Sequence, residues 1–112
     1  MANKNIIMVK DPDLKPIHPG EILRTEFLEP FKMSGKELAR HLKVAEPIVN
    51  ELLEEKGKIT LELAYRLFCY FGVSPQFWLN FQRDYDLETY QAKEEIKKQI
   101  KPYPRKEQVN IH

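Results

Sequence analysis

Apolar residues recur at helical spacing through the middle of the chain, between residues 20 and 86. Pro, Gly and Ser separate these short stripes, and none of them alternates with the period of two that marks a half-buried strand. In the lead-in, Pro12, Pro16 and Pro19 prevent a long helix, and only residues 6–9 suit a short strand. The pattern predicts an all-α bundle of five or six short helices, preceded by a short extended N-terminal segment.

End signals bound the first two predicted helices. The first is expected over residues 20–28, with Pro30 as its stop. Ser34 begins the second, and Glu37 follows it at the spacing of a capping box. These local signals favour helices of two to three turns.

Glycine and hydroxyl residues bound the later helices. A third helix is expected over residues 45–54, with Gly57 as its end signal. Thr60 can cap a fourth helix and Gly72 can end it, and Ser74, which precedes a proline, can cap a fifth. The sequence therefore divides its apolar stripes among separate, well-delimited helices.

The chain is long enough for one domain with a core. We expect an extended lead-in over residues 1–16, a helical domain over 17–87, and a C-terminal helix with a frayed tail over 88–112. Ala92, Ile96 and Ile100 lie one turn apart and predict the sixth helix within residues 87–100, and the last eight residues are expected to fray.

Composition narrows the class of protein. Of the 112 residues, 31% are charged, and no apolar run approaches the length of a membrane span or a signal peptide. The single Cys69 cannot form an intrachain disulfide or, with three histidines, a zinc cage, and its apolar helix predicts that it is buried. We expect a cytoplasmic domain that carries neither metal nor cofactor.

Enzymatic signatures are not found in the sequence. It has no glycine-rich phosphate loop, nucleophile elbow or metal-ligand spacing, so an enzyme is not predicted. Basic and acidic residues nearly balance, 18 against 17, so overall charge does not indicate a nucleic-acid binder. Only a local arrangement can reveal a function.

One local arrangement has functional meaning. Only residues 42–45 separate the second helix from the third, which is the spacing of a helix-turn-helix unit. Ala39 permits close approach of the two helices, Val44 fills the space beneath the turn, and Val49 and Leu52 anchor the third helix. Such a unit presents the first turn of its second helix to a DNA major groove.

The exposed positions of this unit are candidates for contacts with DNA. Asn50 is the preferred base reader, because Asn pairs bidentately with adenine, whereas Glu46 can accept a hydrogen bond from cytosine but repels phosphates. The lysines and the arginine would contact phosphates. The candidate DNA-binding residues are Lys36, Arg40, Lys43, Ala45, Glu46, Pro47, Asn50 and Lys56.

An aromatic stripe follows in the fifth helix. Trp78, Phe81 and Tyr85 share one helical face. Two interpretations stay open: the stripe belongs to the core of the bundle, which is the commoner role, or it contacts a second copy or another protein.

The chain resembles a known family over residues 17–87. The resemblance rests on HPGEIL (18–23), on SGKELARHLKV (34–44) and on residues 51–87, of which GVSPQFWLN (72–80) is the most specific part. These stretches are similar to antitoxins of the HigA/VapI type, a branch of the Xre-like helix-turn-helix proteins.

The resemblance carries expectations about fold and function. It implies an Xre/lambda-repressor-like bundle and a homodimer that represses its own operon by binding operator DNA. It also implies that the chain neutralises a HigB-type toxin, an mRNA-cleaving RNase. The recognition helix would be residues 45–54.

The chain departs from the family pattern at the positions nearest DNA. Gly35 stands where the family often has Gln, Lys43 where it has Gly, and Ala45-Glu46 where it has Ser-Arg. These departures motivate an alternative hypothesis: a protein-interaction module that keeps the fold but has lost DNA binding.

Overall fold

The computed structural model describes residues 15–104, and this part of the chain contains six helices and no strand. The expected strand at residues 6–9 and the frayed end at 105–112 lie outside the described residues. The helices are α1 (Pro19–Phe31, in three consecutive segments), α2 (Gly35–Leu42), α3 (Glu46–Leu53), α4 (Leu61–Phe71), α5 (Pro75–Thr89) and α6 (Lys93–Gln99). The prediction of an all-α bundle is confirmed.

Helix α1 contains a wide turn. Its middle segment, Leu23–Leu28, is a π-helix, in which the Glu29 N–H donates to the Arg24 carbonyl five residues back. In a regular helix the ring of Pro30 would clash with the carbonyl four residues before it, and the wide turn relieves that contact. The prediction that Pro30 stops the helix is therefore wrong; α1 ends at Phe31.

The predicted caps of the later helices are present. Thr60 Oγ1 accepts from the Leu63 N–H at 3.1 Å, and Ser74 Oγ accepts from the Phe77 N–H at 3.3 Å. Gly72 follows α4 with a φ of 83°, a value that costs glycine little. Each of these ends follows from a short local motif.

The end of α3 differs from the prediction. Glu55, with a φ of 63°, takes the left-handed conformation that Gly57 was expected to take. The Gly57 N–H already bonds back to the Glu51 carbonyl at 3.0 Å, so the chain has turned before it reaches the glycine.

The C-terminal helices also have different bounds from those expected. Helix α5 continues to Thr89 and crosses the boundary expected at residue 87, and α6 covers only Lys93–Gln99 instead of residues 87–100. Ile96 and Ile100 are 43% and 63% exposed, so the apolar face of α6 is not part of the core.

The core lies between α1, α2, α3, α4 and α5. Trp78 occupies its aromatic side, with ring-centroid distances of 5.1 Å to both Phe27 and Phe77. The buried apolar residues are Leu23, Leu28, Leu38, Ala39, Leu42, Val49, Leu52, Ile59, Leu63, Ala64, Leu67 and Trp78. Within residues 15–104, no helix has the length and apolar character needed to cross a membrane.

The structure corrects one part of the aromatic-stripe hypothesis. Trp78 is 0% exposed, so its contacts are all within its own chain and it has no surface left for a partner. Phe81 and Tyr85 are half-buried and keep part of each ring accessible.

His18 joins three parts of the bundle. Its Nδ1 accepts from the Gly20 N–H at 2.8 Å and so caps α1, and its Nε2 lies 3.0 Å from the Gly57 carbonyl oxygen. The ring also packs edge-on against Tyr85, with centroids 4.8 Å apart. Because Nδ1 accepts, Nε2 carries the proton, and the neutral imidazole satisfies both backbone groups.

Replacing His18 with Ala should lower the free energy of unfolding by about 2 kcal/mol, since it removes an N-cap and leaves buried backbone groups unpaired. Urea unfolding at neutral pH measures the loss. His18→Asn, whose side-chain oxygen can cap α1 but cannot reach Gly57, should lose less. Equal losses for the two variants would show that the cap contributes nothing.

Candidate nucleic-acid interface

Helices α2 and α3 form a helix-turn-helix unit. Helix α2 ends at Leu42, and Lys43 adopts a φ of 59°, the left-handed conformation that reverses the chain. Helix α3 begins at Glu46 after Ala45, whose side chain makes no capping hydrogen bond. The turn is therefore only three residues long, as the sequence predicts.

The undersides of the two helices are buried against each other. Leu38, Ala39 and Leu42 from α2 and Val49 and Leu52 from α3 are each at most 4% exposed. Ala39 has the small side chain that brings the helices together, as expected. Because this face is packed, the opposite face of α3 points to solvent.

A complete capping box begins α2. Ser34 Oγ accepts from the Glu37 N–H at 3.0 Å, and Glu37 Oε1 accepts from the Ser34 N–H at 2.9 Å. The hydrogen bond from the Ser34 backbone is the main reason that the pKa of Glu37 lies below its ordinary value, and Arg40 and His41 add positive charge nearby. The box fixes the start of α2 beside the candidate interface.

The carboxyl end of α3 is attached to α1. Arg24 Nη1 donates to the Leu53 carbonyl at 2.7 Å, and its Nη2 bonds Glu55 at 3.2 Å. A Cβ at Gly20 would overlap the Leu52 carbonyl oxygen, so α1 approaches the backbone of α3 where only glycine fits. Sequence reasoning missed Arg24, because its partners lie 29 and 31 residues away.

Arg66 binds the carboxyl end of α2, as Arg24 binds that of α3. Its Nη1 donates to the Leu42 carbonyl at 2.8 Å, and Glu62 on the preceding turn of α4 holds the guanidinium at 2.9 Å. The last turn of α2 therefore has a cationic cap supplied from α4. This contact was also missed, since no local motif announces it.

The predicted DNA-binding residues, with one exception, form an exposed set. Lys36, Arg40, Lys43, Ala45, Glu46, Pro47 and Lys56 are exposed, and only Asn50 is half-buried. Within residues 15–104, Lys36 and Lys43 take part in no ion pair, whereas Lys56 lies 3.9 Å from Glu54. The first turn of α3 projects from the bundle, with free lysines on the α2 side.

Asn50 does not point freely to solvent. A Cβ at Gly35 would lie 2.7 Å from Asn50 Oδ1, so the amide occupies the space that a side chain at position 35 would need. Its Nδ2 lies 3.5 Å from Glu46 Oε2, one turn earlier on α3. The expectation of an exposed Asn50 is therefore wrong.

A shallow cleft of about 290 Å³ lies behind the turn, between α2 and α4. His41 stacks on Tyr70 at its edge, with centroids 5.0 Å apart. Cys69 lines the cleft and is exposed, which contradicts the prediction that it is buried. The described residues contain no group of His, Cys, Asp and Glu suited to a metal ion.

The packed undersides, the three-residue turn and the projecting first turn of α3 define the class of protein: a helix-turn-helix domain. No family model matches the chain, but individual proteins do. Virulence-associated protein I of Dichelobacter nodosus is 46% identical over 76 residues, which are 68% of this chain and 70% of that protein. Antitoxin HigA-1 of Vibrio cholerae is 37% identical over 79% of this chain and 84% of its own.

Solved structures agree with the sequence matches. The structure of the Pseudomonas aeruginosa antitoxin HigA with the higBA promoter is 47% identical, with a TM-score of 0.75, over 79% of this chain and 98% of that one. The chain therefore belongs to the HigA/VapI-type family of Xre-like helix-turn-helix proteins. Two of these relatives are named HigA antitoxins, and one of the two was solved with promoter DNA.

Acid should weaken the capping box of α2. Because the pKa of Glu37 is lowered on folding, its contribution is complete above its ordinary value of 4.5 and is lost as the pH falls through the folded value. Glu37→Gln does not titrate, so its stability should fall less than that of the natural chain across this window. Unfolding by urea at a series of pH values measures the difference, and Glu29→Gln is the control. A parallel pH dependence for Glu37→Gln and the natural chain would contradict the prediction.

Proposed function

We propose that this chain is the antitoxin of a toxin-antitoxin module, acting as a DNA-binding autorepressor that also neutralises an mRNA-cleaving toxin of the HigB type. The exposed first turn of α3 is the observation that carries the DNA-binding part. Relatives named antitoxin, and a relative's structure with promoter DNA, support the assignment.

In this proposal α3 enters the major groove of operator DNA. The α3 side chains of the exposed set would face base edges, and Lys36, Arg40, Lys43 and Lys56 would contact phosphates. Such cations set affinity and its salt dependence but carry no sequence information themselves. The operator lies in the cytoplasm, so the proposal places the chain there.

The proposal includes a homodimer. A palindromic operator presents two half-sites about 34 Å apart, so two copies of α3 related by a two-fold axis would have to stand at that spacing. Phe81 and Tyr85 keep part of their rings accessible on α5 and stay candidates for the contact with a second copy or with the toxin.

Binding to DNA from the promoter of its own operon tests the repressor part. At about 150 mM salt the chain should bind this duplex at least a hundred-fold more tightly than a shuffled duplex of the same composition. Gel shift or fluorescence anisotropy gives both affinities. Equal affinity for the two duplexes would remove the repressor from the proposal.

The toxin part is tested separately by growth. If a gene for a small basic RNase lies beside this one, cells expressing that RNase should stop growing, and co-expression of the chain should restore growth. Restored growth without operator binding would favour the alternative, an interaction module that has lost DNA binding. Growth arrest that the chain does not relieve would remove the antitoxin assignment.

Replacing Lys43 should change the stability of the fold and its affinity for DNA in opposite directions. Lys43 holds a left-handed φ that costs about 1 kcal/mol relative to glycine, so Lys43→Gly should stabilise the fold while it weakens DNA binding and reduces the salt slope by about one. Lys32→Gly is a matched control, since Lys32 also follows a helix with a φ of 53° but lies outside the candidate interface. It should stabilise the fold alike and leave DNA affinity unchanged. Unaltered DNA affinity in Lys43→Gly would exclude Lys43 from the interface.

A further inference from the structure

We propose that Glu46, rather than Asn50, is the base-reading side chain of α3, that it selects cytosine, and that Asn50 is the residue that positions it. The inference rests on the proposed DNA binding and makes its specificity explicit. It follows from the contacts among Gly35, Glu46 and Asn50.

The first step is the space above Gly35. The start of α2 lies against α3 at this point, and Asn50 Oδ1 lies 2.7 Å from the position that a Cβ of residue 35 would take, closer than a real Cβ tolerates. The Leu53 side chain lies 3.0 Å from the same site. Because residue 35 is glycine, the oxygen of the Asn50 amide can lie against the start of α2, and Asn50 as a whole is half-buried.

The second step is that both polar atoms of the Asn50 amide already have neighbours within the protein. Reading adenine bidentately requires both the oxygen and the nitrogen of an Asn side chain to face the base edge. Here Oδ1 faces Gly35 and Nδ2 faces Glu46 Oε2 at 3.5 Å. Asn50 would have to give up both positions to read a base.

The third step is the placement of Glu46. It is the first residue of α3, it is exposed, and the amide of Asn50 approaches only one of its carboxylate oxygens. The partial positive charge of the helix N-terminus favours an acidic side chain at this position. Within the described part of the chain the other oxygen, Oε1, has no hydrogen-bond partner, and it lies at the end of the helix that would enter the groove.

The fourth step is the chemistry of the base edges. A carboxylate only accepts hydrogen bonds, and cytosine N4 and adenine N6 are the donors in the major groove. Adenine places the acceptor N7 beside N6, which repels a carboxylate, whereas cytosine has no acceptor beside N4 on that edge. Glu46 therefore favours a C·G pair.

Selection from a random duplex library tests the assignment. The natural chain should enrich a motif with a C·G pair at one position of each half-site, preferred about 5- to 150-fold over A·T, the usual cost of one mismatched base pair. Glu46→Gln, which can both donate and accept, should lose this preference or move it to A·T. Glu51→Gln removes one charge from the exposed part of the same helix and should leave the preferred base unchanged.

Two further variants test the positioning role. Asn50→Ala should keep the preference for cytosine but reduce it several-fold, because the carboxylate is no longer held. Gly35→Ala should reproduce that effect, since its Cβ would displace the Asn50 amide. Thermal unfolding of each variant confirms that the domain is folded, and an unstable fold alone would weaken binding to all sequences without changing the base preferred at one position.

The outcomes separate the two levels of the proposal. A motif that changes at one position in Asn50→Ala from A·T to no preference, and stays intact in Glu46→Gln, would overturn the inference and restore Asn50 as the reader. A motif insensitive to both variants would also overturn it, while the proposed function stands. If the natural chain enriches no motif, the proposed DNA binding fails, and this inference fails with it.

Discussion

The packing of α2 against α3 is the contact on which the other features of this domain depend. Ala39 lets the two helices approach closely, and the buried undersides leave α3 a single outward direction. The short turn does not set this geometry alone, since Arg66 caps α2 from α4 and Arg24 caps α3 from α1. The direction of α3 is therefore a property of the whole bundle.

Local chemistry explains which parts of this fold could be predicted from sequence. The capping box at Ser34, the cap at Thr60 and the turn at Gly72 each depend on residues within a few positions, and each was predicted correctly. The interpretation of Pro30 was wrong because a wide turn accommodated the proline. The prediction that Gly57 ends α3 was wrong because Glu55, two residues earlier, adopts the left-handed φ that reverses the chain.

In the candidate interface, too, features set by nearby residues could be predicted, whereas features set by distant residues could not. Exposure of the first turn of α3 follows from the spacing of the apolar residues beneath it, and the sequence was sufficient to predict it. The position of the Asn50 side chain could not be predicted, because it depends on Gly35, which lies fifteen positions earlier and on another helix. Arg24 and Arg66 were missed for the same reason: each acts on a backbone carbonyl that no sequence pattern marks.

Helix α3 is bound to α1 at its carboxyl end, in addition to its packing against α2. Gly20, Arg24 and the loop that His18 binds through Gly57 all secure its carboxyl end, whereas Ala45 provides no side-chain bond at its amino end. Hydrogen bonds from Arg24 on α1 therefore add to the packing of α3 against α2. The orientation of α3 is consequently coupled to that of α1, a helix that lies outside the helix-turn-helix unit itself.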